Sequence, residues 1–276
     1  MSSDESLGES SSEAALPRLH RGGGSSTSTE TGGFRLAADG KKEISVFFPT
    51  YNEEKNIEKV VKNTKKVLIK IADKWEIVIV EDGSRDKTPE ISDKIARTDR
   101  RIKVIHHKPN KGYGGALKSG FGAAKYEWIA FTDSDGQFDF GDIVKFIKKQ
   151  KETDADLVLG IRSKRADSPV RIFATFIWSK LLPRILFGLK VADYSCGFKM
   201  IKKKVYQEVQ PLVGEEKVTQ IEMLTKAQRM GFKFAEVEVG HYPRVHGHQT
   251  GADMKVILRS IRDLLKLWWQ MKILKI

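Results

Sequence analysis

The sequence predicts an α/β fold in which a mostly parallel β-sheet carries helices on both faces. Short runs rich in Ile, Val and Phe alternate with longer amphipathic segments from Lys41 onward. Polar clusters follow several of these apolar runs, as they do at the ligand-binding edge of open α/β sheets. With 276 residues, 40% of them hydrophobic, the chain can bury one large core.

The elements follow one another in strand–helix order. "EISVFFPT" predicts a strand, and the apolar residues between Ile57 and Ile71 recur on one helical face. "WEIVIVEDGS" is a second strand with its turn, and "TPEISDKIART" is a helix with Thr88 as N-cap and Pro89 as its first residue. The strand "RIKVIHH" precedes the small-residue helix "YGGALKSGFGAAK", and "EWIAFTD", "FGDIVKFIKKQ" and "DLVLGI" continue as strand, helix and strand.

Four of these strands end in polar residues, at 49–53, 81–84, 133–135 and 162–163. The carboxyl ends of parallel strands share one edge, so we expect the four clusters to converge. Asp133 and Asp135 are two residues apart and would point the same way, which is costly without a cation between them. A hard divalent cation shared with substrate phosphates fits, and Gln137 could add a third oxygen. The alternative is a solvated acidic turn.

Outside this domain the sequence changes character. Residues 1–40 are rich in Ser, Gly and Thr, and we expect a disordered N-terminal tail without a signal peptide. The net charge of +13 favours an anionic partner. Cys196 is the single cysteine, which excludes an internal disulfide, and it is expected to be a buried structural thiol.

Six segments together resemble the family 2 glycosyltransferases of the GT-A fold, and most of all the dolichyl-phosphate mannose synthase group. They are "VFFPTYNEEKNI", "VIVEDGSRDKT", "NKGYGGALKSGF", "FTDSDGQFD", "DYSCGFKM" and "HYPRVHGHQTG". The resemblance implies a Rossmann-like nucleotide-diphospho-sugar transferase domain over residues 41–254. The glycine-rich segment has neither the ATP-type P-loop spacing nor the dinucleotide spacing, so its glycines are expected to permit close packing.

The resemblance also implies the site residues. Those expected to bind the nucleotide sugar are Pro49, Tyr51, Glu53, Asp82, Lys111 and Asp133. Those expected to hold Mg²⁺ or Mn²⁺ are Asp133, Asp135 and Gln137. Those expected to act at the reacting phosphates are Asp135, Arg162 and Arg244. A cationic clamp of this kind would stabilise a nucleoside diphosphate leaving group.

Two segments predict contact with a membrane surface. Residues 170–190 are dense in large apolar side chains but are interrupted by charges and a proline, which favours interfacial helices over a spanning helix. A helical hairpin in the core is the alternative. Residues 255–276 predict an amphipathic helix whose apolar face comprises Val256, Ile257, Ile261, Leu264, Leu265, Trp268 and Trp269. A helix docked on its own domain, or a contact with a second copy or a membrane protein, remains open.

The predicted reaction is inverting transfer of a hexose, from a donor such as GDP-mannose or UDP-glucose, to a polyprenyl phosphate at the cytosolic face of a membrane. A phosphate acceptor needs no general base, whereas the rival, a hydroxyl acceptor, would need one such as Asp193 or Glu222. Where the family commonly has Ser-Lys, this chain has Gln249-Thr250, which leaves donor and acceptor identity open.

Two other site types are disfavoured by the sequence. Basic residues scatter over helices instead of interleaving with aromatics, which argues against a nucleic-acid partner. Arg244 lies among His241, His246 and His248, which argues against a zinc site there.

Overall fold

The computed structural model describes residues 42–162, 182–244 and 254–273, with side chains in the last range from Ile261 onward. The strands are β1 Lys42–Thr50, β2 Ala72–Glu81, β3 Ile102–His106, β4 Trp128–Phe131, β5 Leu157–Arg162, β6 Lys199–Lys202 and β7 Phe234–Val239. The helices are α1 Ile57–Ile71, α2 Thr88–Thr98, α3 Gly112–Ala123, α4 Ile143–Thr153, α5 Leu182–Phe187, α6 Lys203–Glu208, α7 Val218–Arg229 and α8 Met254–Ile273, with a 3-10 turn at Phe140–Asp142. The predicted tail at 1–40 and most of the predicted interfacial helices at 170–190 lie outside the described residues.

The strands form one seven-stranded sheet in the order β3-β2-β1-β4-β6-β5-β7. All neighbouring strands run parallel except β6, which is antiparallel to both β4 and β5. The mostly parallel sheet is therefore confirmed. The antiparallel strand was not predicted, because four residues with lysine at both ends carry no clear strand pattern.

The helices form two layers against this sheet, as predicted. One layer contains α1 and α2, which pack on β2 and β3, and α4, which packs on β5 and β7. The other contains α3, which packs on β1 and β2, together with α7 and α8. Both layers leave the carboxyl ends of β1, β2, β4 and β5 at one edge of the sheet.

The glycines of α3 bring this helix close to the sheet. A Cβ at Gly120 would overlap the ring of Phe47 on β1. Phe47 in turn packs at 4.9 Å from Phe121 and 5.3 Å from Phe131, measured between ring centroids. The prediction that these glycines serve close packing is confirmed, and the aromatic cluster positions the loop that follows β4.

The predicted apolar face of helix α8 is divided between the core and the surface. Leu264, Leu267 and Met271 are buried, whereas Leu265 is 49% and Trp269 61% exposed. The prediction that Leu264, Leu265 and Trp269 share one buried or membrane-facing stripe is therefore wrong. The helix has apolar residues on two sides, and packing against α7 buries the side that carries Leu264, Leu267 and Met271. Among the described helices, none has the length and apolar content required to cross a membrane.

Candidate active site

The four polar strand ends converge on one edge of the sheet. β1, β2 and β4 run parallel as neighbours, and two antiparallel steps through β6 return β5 to the same direction. The hydroxyl of Ser134 donates to the carbonyl of Pro49 at 2.8 Å, which ties the loop after β4 to the end of β1. The expected convergence is confirmed.

Asp133 and Asp135 form the acidic centre of this edge. Burial and the neighbouring charge of Asp133 raise the pKa of Asp135 to about 7. One Asp135 oxygen accepts the backbone N–H of Gln137 at 3.0 Å, which holds the carboxylate in a tight turn. Two neighbouring carboxylates, of which the Asp135 side chain is only 13% exposed, favour the binding of positive charge beside them.

Arg244 supplies part of this positive charge. Its Nη1 lies 3.7 Å from Asp135 Oδ2, and its Nη2 donates to Glu53 Oε1. Burial raises the pKa of Glu53 despite hydrogen bonds from Asn56 and Arg244 that lower it. The structure therefore brings together three predicted site residues from opposite ends of the domain.

Asp133 is restrained on two sides by residues that were not predicted. The hydroxyl of Tyr113, in the first turn of α3, donates to Asp133 Oδ1 at 3.1 Å. On the other side, a Cβ at Gly197 would overlap the Asp133 carboxylate. No spacing in the sequence links these three residues, because they meet only through the sheet order.

Asp82 lies at the end of β2 and is held by a buried histidine. Asp82 Oδ1 is 2.6 Å from His107 Nδ1 and accepts the backbone N–H of Lys111 at 2.9 Å. His107 Nε2 lies 2.9 Å from the hydroxyl of Ser119. Lys111 therefore contacts Asp82, the aspartate predicted to bind the nucleotide, through its backbone N–H. Lys111 itself is exposed. The sequence signal for His107 is the His106–His107 pair at the end of β3.

The segment after β1 connects to the loop after β2. Pro49 is buried, and Tyr51 is 41% exposed beside it. The backbone N–H of Glu53 donates to the hydroxyl of Thr88 at 2.8 Å. Helix α2 begins at Thr88, so the predicted N-cap at Thr88 is wrong and Lys87 occupies that position. The hydroxyl serves the site loop instead of its own helix.

Arg162 is paired with Asp193. Its Nε and Nη2 donate to the two Asp193 oxygens at 2.8 and 2.9 Å, and Nη2 also donates to Ser195 at 2.7 Å. Glu222, the other general-base candidate, is fully buried, pairs with Lys226 at 2.8 Å and accepts two backbone N–H groups. Both carboxylates are therefore engaged in the framework.

The donor set at the edge fits a divalent cation that is shared with a ligand. Within the ranges that the structure describes, no three His, Cys, Asp or Glu side chains are grouped as a complete metal site. Asp133 and Asp135 supply two carboxylates, and substrate phosphates would supply further oxygens. Gln137 has another contact as well: its Nε2 donates to the carbonyl of Tyr242 at 3.0 Å, which ties the 240–244 segment to the acidic turn.

Two candidates outside the edge are placed as follows. Cys196 is buried, and burial raises its thiol pKa to about 11, as expected of a structural thiol. The ring of His241 packs 5.2 Å from that of Phe138, and His246 and His248 lie outside the described residues.

Comparison with known proteins adds to this geometry. The chain is similar to glycosyltransferase AglD of Haloferax volcanii, with 31% identity over 238 residues, which cover 84% of this chain and 38% of AglD. It is also similar to dolichyl-phosphate beta-glucosyltransferase ALG5A of Trichomonas vaginalis, with 30% identity over 245 residues, which cover 81% of this chain and 72% of ALG5A. The match with AglD thus spans well under half of that protein's length.

Among solved structures, glucosyl-3-phosphoglycerate synthase from Mycobacterium tuberculosis in complex with UDP superimposes with a TM-score of 0.63 at 19% identity, covering 82% of this chain and 80% of that one. The same enzyme has been solved with Mn²⁺, UDP and phosphoglyceric acid. This likeness confirms the GT-A fold. Residues 45–210, more than half of the chain, match the family model described as glycosyl transferase family 2. The chain therefore belongs to glycosyl transferase family 2 and is a glycosyltransferase.

Proposed function

We propose that the protein transfers a hexose, with inversion, from a nucleotide sugar to a polyprenyl phosphate. The observation that carries this proposal is the partly buried Asp133–Asp135 pair, whose charge Arg244 offsets only in part. A divalent cation bound between these carboxylates and the diphosphate of a nucleotide would supply the remaining positive charge. The similarity to ALG5A, a dolichyl-phosphate glucosyltransferase by name, supports the acceptor.

In this proposal, Asp133 and Asp135 would hold Mg²⁺ or Mn²⁺ together with the donor diphosphate. The ion, when bound, would stabilise the negative charge that develops on the leaving group. Pro49, Tyr51 and Asp82 lie along the same edge and would bind the nucleoside. Lys111 is the N-cap residue of α3 beside Asp82, and it would lie near the bound nucleoside.

The reaction forms a bond between an acceptor phosphate oxygen and the anomeric carbon of the sugar. The bond from that carbon to the donor's β-phosphate oxygen breaks, and the nucleoside diphosphate leaves with the electron pair. Arg244 lies beside the acidic pair and would orient phosphate oxygens with its planar guanidinium. Arg162 would add positive charge to the same region while it remains paired with Asp193.

Both general-base candidates, Asp193 and Glu222, are engaged in ion pairs. Asp193 is held by Arg162, and Glu222 is buried with Lys226. A hydroxyl acceptor requires a carboxylate that can take up its proton, whereas a lipid phosphate is already anionic near neutral pH. The engagement of both carboxylates therefore favours the phosphate acceptor over the hydroxyl acceptor.

We also propose that α8 contacts the membrane in which such an acceptor resides, at its cytosolic face. Leu265, Trp269 and Ile273 recur four residues apart and are 49%, 61% and 62% exposed. Exposed basic residues flank them at Lys266 and Lys272. An aromatic and apolar stripe beside cations suits the headgroup region of an anionic bilayer. Contact with a membrane protein or a second copy of the chain is the alternative.

The experiment is a transfer assay with purified protein, Mn²⁺ and a panel of radiolabelled GDP- and UDP-hexoses, with either polyprenyl phosphate or a free polyprenol as acceptor. We expect labelled lipid only with the phosphate and one preferred donor. An Asp135→Asn variant is the control for metal-dependent chemistry. Transfer to polyprenol, or to neither lipid with any donor, would contradict the proposal.

A further inference from the structure

Lys199, Gln220 and Tyr113, which lie outside the predicted site, form a chain of hydrogen bonds that ends on Asp133, and we call this chain the relay. Lys199 on β6 is fully buried and Gln220 on α7 is 2% exposed. Lys199 Nζ donates to Gln220 Oε1 at 2.5 Å and also to the carbonyl of Cys196. Gln220 Nε2 lies 3.3 Å from the hydroxyl of Tyr113, which lies 3.1 Å from Asp133 Oδ1.

The lysine sets the direction of every bond in this chain. An ammonium group can only donate, so the oxygen of the Gln220 amide must face Lys199. Burial lowers the pKa of Lys199 to about 8, which leaves it mostly protonated at pH 7. The Gln220 NH₂ group then faces Tyr113 and can only donate to the phenol oxygen. The phenol proton is consequently directed at Asp133.

A buried lysine whose hydrogen-bond acceptors are an amide and a backbone carbonyl is costly for the fold. Strand β6 places it there, because its antiparallel register sets Lys199 opposite Phe131, two residues before Asp133. Its Nζ lies 5.4 Å from the centroid of the Phe131 ring. The charge is thus held beneath the acidic turn, within one network that also includes α3 and α7.

We propose that Tyr113, Gln220 and Lys199 are positioning residues that orient the Asp133 carboxylate for the metal–diphosphate complex of the donor. This inference rests on the proposed function, since it assigns partners to the proposed metal-binding carboxylate. The relay holds Oδ1 while Gly197 closes the other side, so that Asp133 meets an incoming cation without first losing rotational freedom.

The test measures binding of Mn²⁺ to the full-length protein by electron paramagnetic resonance, with saturating GDP or UDP. Loss of an outer partner of a metal ligand typically weakens metal affinity about 10- to 100-fold. We expect Tyr113→Phe to weaken Mn²⁺ affinity about tenfold by the same reasoning. Tyr206→Phe is the matched control, because its hydroxyl also donates to α3, at the carbonyl of Lys118, without reaching Asp133.

The Gln220→Glu variant distinguishes an effect on the orientation of the Asp133 carboxylate from an effect on folding. The new carboxylate keeps the shape and pairs with Lys199, but it can only accept, so it draws the phenol proton away from Asp133. We expect it to weaken Mn²⁺ affinity when Tyr113 is present and to have no such effect in a Tyr113→Phe background. If Gln220 only supports the fold, Gln220→Glu should leave the Mn²⁺ affinity unchanged, because the added ion pair with Lys199 preserves the buried packing.

The outcomes separate this inference from the proposed function. Absence of Mn²⁺ binding in the unaltered protein would overturn the proposed metal site and the relay together. Normal Mn²⁺ binding that is equal in Tyr113→Phe, Tyr206→Phe and the unaltered protein would overturn the relay alone. A Gln220→Glu effect of the same size with and without the Tyr113 hydroxyl would also overturn it, since the effect would then be one of charge only.

Discussion

Replacing Asp135 with asparagine should stabilise the metal-free protein while it abolishes transfer. The side chain of Asp135 is 13% exposed, and burial together with the charge of Asp133 raises its pKa from 3.8 to about 7. A carboxyl with a higher pKa in the folded than in the unfolded protein binds protons more tightly when folded. Stability is therefore lost as pH rises from about 4 to about 7.

The magnitude follows from that difference in proton affinity. A tenfold change corresponds to about 1.4 kcal/mol, so the ionised carboxylate costs the folded state up to about 4 kcal/mol above pH 7. That cost already includes the attraction of Arg244 for the carboxylate. Asparagine keeps an oxygen for the N–H of Gln137, but its NH₂ group then faces the Arg244 guanidinium, and two donors repel each other. We therefore expect a net gain of about 2 kcal/mol in the free energy of unfolding. For a domain of this size, that gain raises the Tm by about 4–8 °C.

The assay is thermal unfolding in EDTA at pH 8 and at pH 5. We expect the gap in Tm between the variant and the unaltered protein to shrink by more than half at pH 5, where Asp135 is protonated in the folded protein. Asp156→Asn is the opposite control: hydrogen bonds from Lys202 and the Lys233 backbone outweigh burial and lower the pKa of Asp156, so its loss should destabilise. An Asp135→Asn variant with an unchanged or lower Tm at pH 8 would refute the electrostatic reasoning.

Three further outcomes are expected. Arg244→Ala should reduce the transfer rate by about 100-fold or more and Arg244→Lys by less, with nucleoside diphosphate affinity changing less than either rate; an unchanged rate for the alanine variant would remove Arg244 from the reaction. The double variant Leu265→Glu/Trp269→Glu should be released from anionic liposomes in co-sedimentation, whereas Ile69→Glu, at a similarly exposed position on α1, should stay bound. Equal release of both variants would show a non-specific effect of charge. Gly120→Ala should lower the free energy of unfolding by about 1–3 kcal/mol in urea titrations because its Cβ enters an aromatic ring, and a neutral result would mean that α3 can shift.

Several features of the fold and site could be predicted from local pattern alone. Apolar runs ending in acidic residues indicated β2 and β4, and the alternation with helices indicated a parallel sheet. Because the carboxyl ends of parallel strands share one edge of a sheet, the sequence also indicated that Asp82, Asp133 and Asp135 lie at the same edge. The physical reason is that strand period and hydrophobic spacing are properties of neighbouring residues.

The sequence did not indicate which side of α8 is buried, because this helix has apolar residues on two sides. The sequence of α8 offers both Leu264 with Leu267 and Leu265 with Trp269 as apolar pairs. Hydrophobic spacing indicates that such a helix has an apolar side, but the side that docks depends on the shape of α7 beneath it. The contact surface was therefore a property of the assembled domain.

The sequence by itself determined the class of fold, the family and the acidic residues at the edge of the sheet. Only the tertiary structure decided what contacts those acids: Arg244 reaches Glu53 across 191 positions of the chain, and Tyr113 stands between Asp133 and Gln220. These contacts depend on the order of strands, above all on β6 between β4 and β5. Side-chain pairs so distant in sequence have no periodic signature, because folding and not spacing brings them together.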